Sequence, residues 1–234
     1  MNTASVLFVA YIGVIVPLLV VRRSRTRLRR EEGLPSRWAI YAATLFLQAV
    51  YFVLAVAVAD VEQIPLFTPP ASIGYGLLVG FGWVAAKLVI VDTISLWWPP
   101  SHPELLVRLA PALRPKTLAI FALLCATAGI VEEITFRVVL PEILLGWGLA
   151  PAVVWIVSSL IFGVGHTPQG LRGCVLAGLL GGVNLLIFWH LRSIWPLMLS
   201  HALYDFVRGL RIAVRARINS SPEPIVSQNT EALL

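Results

Sequence analysis

Lys87, Asp92, Glu132, Glu133, Arg137, His166, His201 and Asp205 stand inside or at the ends of long apolar stretches. An ionisable group in hydrocarbon is costly, so each needs a partner or a task. In Glu132-Glu133-Ile134-Thr135-Phe136-Arg137, Glu133 and Arg137 are at i, i+4, the favourable order for an ion pair on one helical face. Glu132 is turned about 100° away around the helix. Glu133 is then expected to be held by Arg137, leaving Glu132 free to act on something else. A Glu-rich helix end at an aqueous surface is the plainer alternative.

His166 follows Ile161-Phe162-Gly163-Val164-Gly165 and precedes Thr167-Pro168-Gln169-Gly170. The two glycines would let a helix or a substrate backbone come close. The Pro and Gly behind His166 break the helix, so the imidazole is expected at a helix end beside a turn. His201 and Asp205 are at i, i+4 and share a face. A carboxylate one turn from an imidazole can fix its tautomer and raise its basicity. A helix C-cap for His166, and a hydrogen-bonded polar pair joining helices for His201 and Asp205, are the structural alternatives. Together the residues say more, because in a bilayer each needs a partner and the available partners are each other.

About seven apolar spans are long enough to position them: Ser5–Val21, Trp38–Ala59, Ile73–Trp97, Thr117–Leu145, Pro151–Gly165, Leu171–Trp189 and Ile194–Val214. Alternating strand patterns are absent, so the expected fold class is all-α, a polytopic transmembrane helical bundle. A turn near Ala150 lies at comparable distances after Glu132 and before His166, so a hairpin sets the two at similar depth. Trp97-Trp98-Pro99-Pro100 marks a membrane interface and a helix stop. Ser101 to Lys116 reads as a surface linker, amphipathic from Glu104 to Leu109. No repeat of fixed period is visible.

Composition agrees. Of the 234 residues, 58% are hydrophobic and 13% charged, about half the charge of a soluble domain. The mean hydropathy of +0.85 excludes the soluble globular classes. The net charge is +6, but the arginines flank apolar spans, so topology and anionic lipid explain them and nucleic acid does not. Arg22, Arg23, Arg25, Arg27, Arg29, Arg30 and Arg37 predict a cytoplasmic first loop and an outside N-terminus. Asp60 to Ala71 carries acids and no base, as an outer loop should. Arg208, Arg211, Arg215 and Arg217 predict a cytoplasmic end for the last helix, with Arg192 a mild exception. The apolar run precedes the basic one at the N-terminus, the order of a retained first helix and not of a signal peptide. Cys125 and Cys174 lie in apolar runs, without disulfide or metal spacing.

The ordered set Glu-Glu-x-x-x-Arg, Phe-x-x-x-His and His-x-x-x-Asp resembles the CAAX protease and bacteriocin-processing family (CPBP, or Abi) of intramembrane proteases. The matching residues are Glu132, Glu133 and Arg137, then Phe162 and His166, then His201 and Asp205. Arg192-Ser193-Ile194-Trp195-Pro196 resembles the approach to the last motif. The resemblance covers about Thr117 to Arg208. It implies that Glu132 and His166 activate water, that Glu133 and Arg137 are structural, and that His201 and residue 205 stabilise the oxyanion. Many members carry Asn where this chain has Asp205. An amide can donate to an oxyanion and an ionised carboxylate cannot, so Asp205 is either protonated or orients His201.

The expected function is therefore an intramembrane endopeptidase acting on membrane-associated protein or peptide substrates within membrane lipid. No nucleic acid and no cofactor are expected. The family is described both as metalloproteases and as glutamate-type enzymes, and the glutamate type is favoured here. Zinc on Glu132, His166 and His201 is the alternative, although no HExxH motif is present. Residues 1–218 are expected to form one transmembrane protease domain, with a motif-bearing core at 117–214 and a disordered cytoplasmic tail at 219–234. The compact chain resembles bacterial members, which implies the bacterial inner membrane. The competing classes are a non-catalytic scaffold or immunity protein and an ion- or proton-coupled transporter.

Overall fold

The computed structural model describes residues 2–30, 34–69 and 72–219. Among them there is no strand, and the chain runs through α1 (Thr3–Ala10), α2 (Val16–Arg30), α3 (Arg37–Val61), α4 (Ile73–Trp97), α5 (Pro103–Leu109), α6 (Pro115–Glu133), α7 (Leu140–Gly146), α8 (Pro151–Gly165), α9 (Gly170–Leu191) and α10 (Trp195–Asn219). Two π-helical stretches, Tyr11–Ile15 and Ile134–Val139, join α1 to α2 and α6 to α7 without a break.

Local chemistry sets the starts. Ser36 and Ser72 cap α3 and α4 by accepting from Ala39 N at 3.2 Å and Tyr75 N at 3.3 Å. Such a cap satisfies one of the amide donors that a helix start leaves open. Pro103, Pro115 and Pro151 open α5, α6 and α8, where a missing N–H costs nothing. The turn between α7 and α8 uses Gly148 at φ +84°, a conformation open to glycine and strained for other residues.

The chain is an integral membrane protein with an all-α bundle fold. Five continuous helices among the described residues are long and apolar enough to cross a membrane: Thr3–Ser24, Arg37–Val61, Ile73–Trp97, Pro115–Gly146 and Thr167–Leu191. The other two expected spans are helices of a different kind. α8 is apolar but has only 15 residues. α10 has 25 residues, and its His, Asp and Arg side chains dilute its hydropathy. The helices stand close to where the sequence placed them, except that the first continues through the basic run to Arg30, and the count of seven is not reached by length and composition. The amphipathic linker centre forms α5, which rests on α3 and α10, and Tyr41 donates to Leu109 O at 2.9 Å. The tail expected to be disordered falls, from residue 220 on, outside the described residues, while Asn219 still belongs to α10.

The packing brings α6 against α10 and α3, α8 against α9, and α4 against α10. Phe8, Ile12, Tyr51, Ala55, Phe136, Val139, Leu140 and Phe162 share the largest buried cluster. Two glycines set the close crossings. A Cβ on Gly129 would stand 2.6 Å from Met198 O, and one on Gly163 would stand 2.7 Å from Cys174 O. Gly129 thus draws the end of α6 onto α10, next to His201. Gly165, the other glycine before His166, has nothing within 4 Å of such a Cβ. The close approach expected of the pair is therefore made by Gly163 alone.

Candidate active site

Glu132 and Glu133 occupy the last turn of α6, immediately before the π stretch Ile134–Val139 that carries Arg137. Single π turns inside helices recur at functional sites because the wider turn re-aims side chains. Arg137 Nε lies 3.2 Å from Glu133 Oε2, with the side chains 1% and 0% exposed. The Glu133–Arg137 pairing read from the i, i+4 spacing is present.

Glu133 does more than hold Arg137. Its Oε1 accepts from Asn184 Nδ2 at 2.8 Å and meets His201 Nδ1 at 2.8 Å. Trp83 Nε1 donates to Asn184 Oδ1 at 2.6 Å. An indole N–H can only donate, so the Asn184 oxygen faces Trp83 and its amide nitrogen faces Glu133. Glu133, bound by a guanidinium and an amide, is the acceptor toward His201, and His201 Nδ1 carries the proton. A chain of contacts thus runs from α4 through α9 and α6 to α10.

The other ring nitrogen of His201 faces the remaining carboxylates. Nε2 lies 3.5 Å from Asp205 Oδ2 and 3.8 Å from Glu132 Oε2. The sequence left open whether Asp205, one turn away, orients His201 or is protonated. The short contact on Nδ1 comes from Glu133 on another helix, and Asp205 borders Nε2 at a longer distance. Glu132 Oε2 is buried and has no hydrogen-bond partner. The two adjacent carboxylates therefore differ: Glu133 is held by Asn184, His201 and Arg137, and Glu132 is open toward His201.

His166 caps α8 beside the 3-10 turn Thr167–Gln169, at the helix end the sequence predicted. Its Nδ1 donates to Phe162 O at 2.9 Å, leaving Nε2 as the acceptor. The imidazole and Glu132 form no ion pair among the described residues, but each lies within electrostatic range of the other. The Phe162 ring lies between two groups of the motif set. Its centroid is 4.2 Å from the Arg137 guanidinium and 4.7 Å from the His166 ring. Phe162 thereby spaces a permanent cation from the imidazole.

The two other charged candidates separate. Asp92 receives Arg208 Nη1 and Arg211 Nη2, both at 2.7 Å, and ties α4 to α10 away from the centre. Lys87 is 3% exposed and donates to Ser200 O at 3.1 Å. The sequence reading did not reach Asn184 and Trp83. A lone Asn inside the apolar run of α9 was the available signal, since a buried amide also demands partners. Among the described residues, no three His, Cys, Asp or Glu side chains are gathered closely enough to hold a metal ion. His201 Nδ1 is committed to Glu133, and its Nε2 is the nitrogen that faces Glu132 and Asp205.

The fold and site define an α-helical membrane protein with a carboxylate–histidine centre shared among its helices. Residues 114–207, which span every motif residue from Glu132 to Asp205, match the family model described as type II CAAX prenyl endopeptidase Rce1-like. The resemblance carried by the three motifs is thus supported by a match over the segment that holds them. No curated protein and no solved structure matches the chain.

Proposed function

We propose that this chain is an intramembrane endopeptidase that cleaves membrane-associated proteins or peptides with water activated by Glu132 and His166. The observation that carries the reading is the open carboxylate. Glu132 Oε2 is buried without a hydrogen-bond partner beside His201, while its neighbour Glu133 is held by hydrogen bonds to Oε1 and an ion pair with Arg137. A carboxylate kept free of partners at such a cost has a task. As general base it takes a proton from water, and the hydroxide adds to the peptide carbonyl. His201 Nε2–H, with Nδ1–H held by Glu133, donates to the oxyanion, so His201 works as the imidazolium. The proton on Glu132 then passes to the leaving amine as the C–N bond breaks, giving a carboxylic acid, which ionises in water, and an amine. The family match over residues 114–207 supports this reaction class.

The proposed setting is a bacterial inner membrane, with the N-terminus outside and the basic end of α10 in the cytoplasm. The test compares the C-termini of membrane proteins in cells carrying the wild type and Glu132→Ala. Termini present only with the wild type are expected. Identical sets of termini, with a cellular phenotype that survives Glu132→Ala, would move the reading to a non-catalytic scaffold.

A further inference from the structure

Arg37 and Arg217 read in the sequence only as signs of topology, yet the fold brings them together with Arg114. The three arginines line one open cavity of about 570 Å³, within the ~300–1,000 Å³ of small-molecule sites. Arg37 opens α3, Arg114 immediately precedes α6, and Arg217 lies in the last turn of α10. Glu132 stands at the other end of α6, about 27 Å along its axis, so the cavity is separate from the carboxylate–histidine centre. Among the described residues no acid lines it, and Val107, Leu113 and Ala213 make part of its wall apolar.

Two of the guanidinium groups are placed to receive an anion. Arg37 Nε donates to Arg108 O at 3.2 Å and Nη2 to Val107 O at 3.5 Å, both at the end of α5. These bonds fix the plane of the guanidinium and use only part of its five donors. Arg114 is exposed and its side chain makes no hydrogen bond or ion pair among the described residues. Like charges around one cavity repel. A ligand with several anionic oxygens replaces that repulsion with charge-assisted hydrogen bonds, and phosphate matches the guanidinium fork.

The surroundings favour a phosphate carried by a lipid over one in solution. The apolar part of the wall suits the glycerol and first methylenes of a lipid, and not a hydrated ion. Trp38, next to Arg37, is half exposed, and Val214 and Ile218 on α10 are exposed. Tryptophan at a helix end marks the level of the headgroups, so the cavity lies at the depth of phospholipid phosphates. Basic pockets between membrane helices are a recurrent form of anionic headgroup site.

We propose that the cavity bounded by Arg37, Arg114 and Arg217 binds the phosphate of an anionic phospholipid of the phosphatidylglycerol type. The bound headgroup bridges the starts of α3 and α6 to the end of α10. It thereby ties together the two helices that carry Glu132 and His201, at the ends away from those residues. This site is independent of the endopeptidase reading, because it is tested by binding and not by turnover.

The experiment follows the unfolding midpoint of the purified full chain in a non-ionic detergent at fixed salt. Short-chain phosphatidylglycerol, phosphatidylcholine of the same acyl length, or inorganic phosphate is added. Phosphatidylglycerol should raise the midpoint to saturation, as a ligand of the folded state does. Phosphatidylcholine and inorganic phosphate should leave it near its starting value. Arg114→Gln should raise the phosphatidylglycerol concentration at half effect about tenfold, the loss expected for a charge-assisted hydrogen bond. Arg215→Gln removes the same charge from α10 at a residue that does not line the cavity. It should change that concentration by less than about threefold, as a screened surface charge does. Equal losses from the two variants would show diffuse attraction to the basic end and overturn the proposal. An equal response to inorganic phosphate would make this a site for a soluble anion, and an equal response to phosphatidylcholine would make the effect one of acyl chains. Either result, or no response to phosphatidylglycerol, also overturns it. Should Arg114→Gln not fold, Arg217→Gln takes its place in the same comparison with Arg215→Gln.

Discussion

Two adjacent carboxylates are given opposite environments by one helical turn, and they should respond oppositely to the same substitution. Glu132→Gln removes the acceptor for the proton of water and leaves no buried ion stranded. Hydrolysis should be lost while the unfolding midpoint in detergent stays near that of the wild type. Glu133→Gln strands Arg137 and loosens His201, so it should lower stability by about 3–5 kcal/mol, the cost of breaking a buried pair from one side. A stable, inactive Glu133→Gln beside an active Glu132→Gln would reverse the two roles. Metal dependence is tested separately. Extensively chelated protein should keep its peptide hydrolysis, and stoichiometric zinc whose removal silences the enzyme would overturn the glutamate-type reading. The Glu133–Arg137 pair was legible because spacing along one helix fixes which side chains meet. The Glu133–His201 contact was not, since the two lie on different helices and only the crossing at Gly129 brings them together. Spacing along α10 could show only that Asp205 lies beside His201, not that Glu133 meets the other ring nitrogen. Asn184 escaped because the search through the spans followed charge, and an amide has none.

Helices were the easier level to read, and their crossings the harder. Apolar runs with Pro or Ser at their starts gave the helices to within a few residues, including α5 in the linker. The π stretch behind Glu133 leaves no mark in composition, because it widens a turn without changing which residues are apolar. Length alone could not show that α10 fails the test of a simple lipid-spanning helix, since its polar face is turned to α4 and α6. The glycines before His166 show what the sequence could not rank. Gly163 meets the backbone of α9, whereas Gly165 meets nothing within 4 Å. Gly163→Ala should therefore cost about 1–3 kcal/mol through overpacking. Gly165→Ala should be neutral or stabilising by up to about 1 kcal/mol through helix propensity. Thermal unfolding of both variants in one detergent checks the contrast, and equal effects would remove Gly163 as the α8–α9 contact point.

At the scale of the molecule, orientation rests on arginine placement, and it can be read directly. Reporter domains joined after Arg30 and after Arg217 should both lie in the cytoplasm, and one at Gln63 should lie outside. Opposite placement of the two basic ends would remove the proposed topology. The bilayer itself should also feel one helix of this bundle. α8 has 15 residues and so rises about 22 Å, against a hydrocarbon core of about 30 Å. Its Val153, Ile156 and Leu160 side chains are 44%, 48% and 61% exposed, so this short helix presents its flank to lipid tails. Acyl chains beside it must shorten or tilt to cover that flank. Hydrophobic mismatch of this kind costs fractions of a kcal/mol per Å. Reconstituted into phosphatidylcholines of increasing acyl length, the protein should turn over fastest in the thinner bilayers and slow as the chains lengthen. A rate independent of acyl length would show that neighbouring helices, and not lipid, absorb the missing height of α8.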